Sequence, residues 1–163
     1  MSKTKHQRRV EKLMKKAGQN LPKELTMPTS KERLLRARLI LEECLETIEA
    51  LGFDLCGTGQ LFQMEGIVGM PIEMEEICLV PNNKESLVGI ADGCADVSVV
   101  TIGTLSACGI EDESLLLEVD ENNLKKFGPG GYKRDDGKWV KPADHQPPNI
   151  AKVIGAEDEN SIL

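Results

Sequence analysis

Residues 39–51 read LILEECLETIEAL, and this stretch decides the fold. Leu41, Leu45 and Ile48 fall on one stripe of a helix, and Leu35, Leu39 and Ala50 on an adjacent one. Glu42, Glu43 and Glu46 interrupt that second stripe. At about 3.6 residues per turn, positions 42 and 46 share a face and 43 lies within reach of both. Carboxylates this close repel one another, the more so as water is excluded. A divalent cation among them is one resolution. The other is a solvated helix edge, since EExxE also arises in helices that face water.

Outward from this segment, 163 residues suit one domain able to bury a core, and 29% charged with 40% hydrophobic residues is ordinary for a globular protein. Aromatics are only 3%, so the core is expected to be aliphatic and helical. The net charge of −7 argues against a nucleic-acid-binding surface, without excluding a phosphorylated small ligand held through a metal. The cysteines at 44, 56, 78, 94 and 108 form no CxxC pair, and the only histidines are His6 and His145. Neither a zinc site nor a disulfide framework is expected. Cys44 and Cys94, inside apolar helical runs, read as small hydrophobes, and the pattern fits a reducing cytoplasm. The start, MSKTKHQRRV, has no hydrophobic signal core.

In chain order, residues 5–17 predict a basic amphipathic helix with Val10, Leu13, Met14 and Ala17 on its apolar side, ended by Gly18. Pro22 and Pro28 mark an extended crossing. Ser30 then offers an N-cap to a helix running to Leu51, with Gly52 at its C-terminal position. Residues 53–84 predict a small β-hairpin or irregular insertion, in which GTGQ at 57–60 is no phosphate loop. Residues 84–109 predict a second long helix, apolar nearly all round and therefore buried among other helices, yet too short and too acidic for a membrane span. Its Gly89, Gly93 and Gly103 permit close backbone approach. A further helix is expected over 111–127, with Asp112 as cap and Leu115, Leu116, Val119 and Leu124 on its apolar side. A long Gly- and Pro-rich loop follows, holding the only Tyr and the only Trp among several lysines, and is read as ordered and functional. Residues 1–152 are expected to form the domain and 153–163 a flexible acidic tail. The predicted fold is an all-α bundle of four to five helices.

Asp92 and Asp96 stand at i and i+4 on the second long helix. Packed antiparallel, the two helices would bring these aspartates to Glu42, Glu43 and Glu46, forming an all-oxygen site suited to Mg²⁺ or Mn²⁺. Flanked by Cys94, Val97, Val99 and Val100, Asp96 has little polar face, and an unpaired buried carboxylate is costly. A Mg²⁺ cluster beside basic residues is apparatus for cleaving phosphoanhydrides.

ILEECLE, followed by IADGCADVSVVTIGTLSACGI and NNLKKFGPGGYKRDDGKWVKP, resembles the all-α nucleoside triphosphate pyrophosphohydrolases, the group of MazG-like, dimeric dUTPase and phosphoribosyl-ATP pyrophosphohydrolase proteins. The likeness covers most of residues 10–150. It implies a Mg²⁺-dependent helical protein, dimeric or higher, that hydrolyses a nucleoside triphosphate to the monophosphate and pyrophosphate. Carried over, Glu42, Glu43, Glu46, Asp92 and Asp96 would hold metal, with Glu43 or Glu46 activating water. Asn123, Lys126, Tyr132, Lys133, Lys138 and Lys141 would contact substrate. One departure stands out: the family's second helix carries ExxD, whereas this chain has Gly93 three residues before Asp96 and Asp92 four before. The resemblance leaves dUTP, dCTP or a non-canonical nucleotide open as substrate, with phosphoribosyl-ATP as the alternative. A non-catalytic metal-binding assembly module is the reading from another class. Neither nucleic acid nor membrane is expected as a partner.

Overall fold

The computed structural model describes residues 2–57, 77–135 and 137–156. Its described elements run α1 (Lys5–Lys16), α2 (Ser30–Ala50), β1 (Phe53–Gly57), β2 (Ile77–Pro81), α3 (Leu87–Ala107), α4 (Asp112–Lys125), β3 (Tyr132–Lys133), β4 (Trp139–Val140) and α5 (Ile150–Ile154). The fold is all-α, with two small antiparallel ribbons among the described residues. The chain divides into two compact units, one of Met1–Ser30 with Ile102–Leu163, the other of Lys31–Thr101.

The first unit contains the buried aliphatic side chains found among the described residues, Val10, Met14, Ile102 and Ala107. On α1 the buried positions are Gln7, Val10 and Met14, a stripe too narrow to reach Leu13, which is 58% exposed. Gln7 is wholly buried, and its side chain is fully used. Nε2 donates to Ser106 Oγ (3.0 Å) and Ile110 O (2.7 Å), and Oε1 accepts from Asp112 N (3.0 Å). Asp112 is not the cap that its position suggested. Glu111 holds the N-cap position of α4, and the buried Asp112 carboxylate instead accepts from Thr4 N and Thr4 Oγ1. Thr4 Oγ1 in turn accepts from Gln7 N, capping α1. Every buried polar group in this set has a partner, which is what makes its burial affordable. Leu116 and Leu124, expected on the inner side of α4, are exposed.

The Pro-rich segment after β4 is held along α4. Asn122 Nδ2 donates to Gln146 O (2.8 Å), and Asn149 N donates to Glu118 Oε1 (3.1 Å). The Asn149 side chain then caps α5. α5 runs across the expected junction at 152, and residues 157–163 lie outside the described residues.

In the second unit β1 and β2 pair from Phe53↔Pro81 to Gly57↔Ile77, so a ribbon forms where one was expected. Residues 58–76, including most of GTGQ, lie outside the described residues. α2 begins at Ser30 itself, one residue earlier than a cap there would allow. The expected burial of α3 on all sides does not hold. Leu87 and Val88 are 86% and 81% exposed, and Cys94, expected inside, is exposed as well. Nor is α3 too short for a span: it has 21 residues, 18 of them in a stretch of mean hydropathy 1.4, enough by length and composition alone. Its glycines lower helix propensity without ending the helix.

Candidate active site

The geometry of the acidic site follows from how closely α2 and α3 approach. A Cβ at Gly93 would lie 2.5 Å from Thr47 Oγ1 and 3.1 Å from Thr47 Cα, and one at Gly89 would lie 3.1 Å from Ala50 Cβ. Position 47 thus meets 93 and position 50 meets 89, an antiparallel register. Continued along both helices, it brings Glu43 to Asp96. Thr47 Oγ1 donates to Glu43 O (2.6 Å), so the hydroxyl pressed against Gly93 is satisfied within its own helix. Gly93 is buried, and Thr47 pressed against it leaves no room for a side chain. The acid that the family pattern would carry at this position therefore has no place in this register, and Asp92 lies beside it.

The electrostatics agree with this register. The Glu43 carboxyl is raised above its ordinary value of 4.5, first by desolvation and then by the charges of Asp96, Glu46, Glu42 and Asp92. Glu43 is half-buried, while Glu42, Glu46, Asp92 and Asp96 are exposed. The aspartates are thus not the buried carboxylates their apolar flanks suggested, because no apolar side chain of this unit is buried among the described residues and α3 keeps open faces. Asp92 lines a shallow depression with Leu87, Val88, Ala91 and Ala95.

In chemistry this oxygen-only set fits a hard divalent cation. As the side chains stand, no three His, Cys, Asp or Glu groups among the described residues converge closely enough to hold a metal ion. Five like charges repel, and glutamate rotamers can open or close such a set without backbone movement.

The predicted substrate residues belong to the other unit. Lys126 Nζ donates to Asn123 Oδ1 (2.6 Å) just beyond the end of α4. β3 pairs with β4 as Tyr132↔Val140 and Lys133↔Trp139. Directly opposed residues leave an antiparallel ribbon on one face and successive residues alternate, so Lys133 shares a face with Trp139 and Tyr132 takes the other. Lys138 and Lys141 flank β4, both exposed. The sequence reading missed a cleft of about 510 Å³ in this unit, lined by Asn122, Lys125, Asp144 and His145 among others. Its wall is held by Asn122 bonding Gln146 and Glu118 bonding Asn149, pairings 24 and 31 residues apart that no local pattern announces.

The family profile described as phosphoribosyl-ATP pyrophosphohydrolase matches residues 7–123, a span holding both acidic helices and ending at Asn123. No curated protein matches the chain.

Proposed function

We propose that this chain, which belongs to the phosphoribosyl-ATP pyrophosphohydrolase family and is a nucleotide pyrophosphohydrolase acting on phosphoanhydride bonds, hydrolyses a nucleoside triphosphate to the monophosphate and pyrophosphate. The observation that carries this reading is the antiparallel register of α2 and α3, in which the charges of Asp96, Glu46, Glu42 and Asp92 are all felt at Glu43. Glu42, Glu43, Glu46, Asp92 and Asp96 would hold Mg²⁺, or Mn²⁺ in its place. When bound, the ion neutralises phosphate oxygens. Glu43, the half-buried carboxylate of the set, is the proposed acceptor of a proton from the attacking water, with Glu46 one turn away as the second carboxylate in that role. Asn123, Lys126, Tyr132, Lys133, Lys138 and Lys141 are the proposed substrate contacts. The family description itself favours a second reading, with phosphoribosyl-ATP as the substrate.

The test is pyrophosphate release with Mg²⁺ or Mn²⁺ across dUTP, dCTP, the common and modified triphosphates, and phosphoribosyl-ATP. Turnover of a triphosphate that stops with chelator supports the first reading. Turnover of phosphoribosyl-ATP alone selects the second.

A homo-oligomer belongs to the same proposal, with a second copy covering α2 and α3. In support, Leu41, Leu45, Leu87 and Val88 are all exposed on a unit without buried apolar side chains among its described residues. Light scattering of the wild type and of Val88→Glu tests this; a monomeric wild type ends the idea. A cytoplasmic location is also proposed, supported by five cysteines with no disulfide among them.

A further inference from the structure

We propose that Trp139, seated over Gly131, is a positioning residue. It latches the basic β3–β4 hairpin to the end of α4, so that Lys133 and the Asn123–Lys126 pair act as one polyphosphate-binding set. The role given to those residues rests on the function proposed above; the latch itself rests on separate observations. Trp139 Nε1 donates to Lys126 O (2.6 Å), a carbonyl at the helix end with no intrahelical partner of its own. The indole also packs on Phe127, with ring centroids 5.0 Å apart and planes at 47°. Gly131 closes the seat. A Cβ there would lie 2.7 Å from Lys126 O, 2.7 Å from Trp139 Nε1 and 3.2 Å from Val140 O. Any other residue would push the indole away from the carbonyl.

The cross-strand pairing turns this seat into a positioning device. Lys133 opposes Trp139 on the same face of the ribbon, so the indole sets where that lysine stands. Lys126 provides both the carbonyl that receives the indole and the ammonium that bonds Asn123. Two-residue strands are too short to hold such a hairpin in place by themselves. The latch supplies the missing constraint, and a preorganised set of cations loses less entropy when a phosphate chain binds.

The experiment uses Gly131→Ala, which keeps Trp139, the only tryptophan of the chain, as a fluorescent reporter. The expected result is a red-shifted, more readily quenched emission, about ten-fold weaker calorimetric binding of inorganic tripolyphosphate, and a KM raised about ten-fold with kcat within about two-fold. Trp139→Phe keeps a ring against Phe127 without the donor and should fall between, while Trp139→Ala should match Gly131→Ala. The midpoint of thermal unfolding should move little in any of them. Unchanged tripolyphosphate affinity and KM in Gly131→Ala overturns the latch, whether or not the emission shifts. Should the wild type hydrolyse no nucleotide while Gly131→Ala still weakens tripolyphosphate binding, the proposed reaction fails and the latch stands.

Discussion

The two units of this chain bury opposite kinds of residue. In one, Val10, Met14 and Ile102 are buried alongside a hydrogen-bonded polar set that runs from Thr4 through Gln7 to Ser106 and Asp112. In the other, a buried glycine lies against a threonine, and carboxylates repel one another around Glu43. A satisfied buried network rewards rigidity and tolerates no loss of a member. A cluster of like charges is a cost to folding, which a protein retains where chemistry uses it. The first unit is therefore expected to respond to mutation in stability, and the second in activity.

The sharpest way to break that contrast is Glu43→Gln. It should lower pyrophosphohydrolase activity about 10³-fold while leaving the circular dichroism spectrum intact, and Asp96→Asn should do the same. Retained turnover in either variant would mean the acids have another purpose. Gln7→Leu is the counterpart in the first unit. It strands Ser106 Oγ, Ile110 O and Asp112 N, and should cost about 3 kcal/mol in urea denaturation. Loss of activity without loss of stability there would reverse the assignment of roles. Gly93→Ala comes next, since it presses on Thr47; about 2 kcal/mol of destabilisation is expected. Rescue by Thr47→Ala would show that the contact, and not helix propensity, carries the effect.

The smallest effect is on stability against pH. A carboxyl raised above 4.5 in the folded chain adds stability that is complete below that pH and is lost as pH rises through the folded value. Without added metal, Glu43→Gln should therefore melt higher than the wild type at pH 7, and the difference should vanish near pH 4. Melts that stay parallel across this range would mean that Glu43 does not feel its neighbours.

Helix periodicity in the sequence sufficed for all the long helices, and the acids could be paired because EExxE and Asp92/Asp96 each carry their own spacing. The two glycines at 89 and 93 even announced the close approach of α3. Burial was not legible. The valines around Asp96 suggested enclosure, but hydropathy gives the composition of a surface and not what covers it. Asp112 misled for a related reason: an acid at the start of a helix reads as a cap, and its true partner, Thr4, is 108 residues away. The Trp139 seat was invisible because it depends on a carbonyl, and carbonyls are the same in every sequence.

The contact of Thr47 with Gly93 fixes more than the meeting of two helices. If a cation is held across α2 and α3, that contact sets how near the carboxylate stems of the two helices stand, and the glutamate rotamers take up the rest. Small ions such as Mg²⁺ need oxygens at about 2.1 Å, and Ca²⁺ accepts about 2.4 Å with more ligands. A bulkier pair at 47 and 93 would move those stems apart, so the site's reach for a cation depends on two residues that would never touch it.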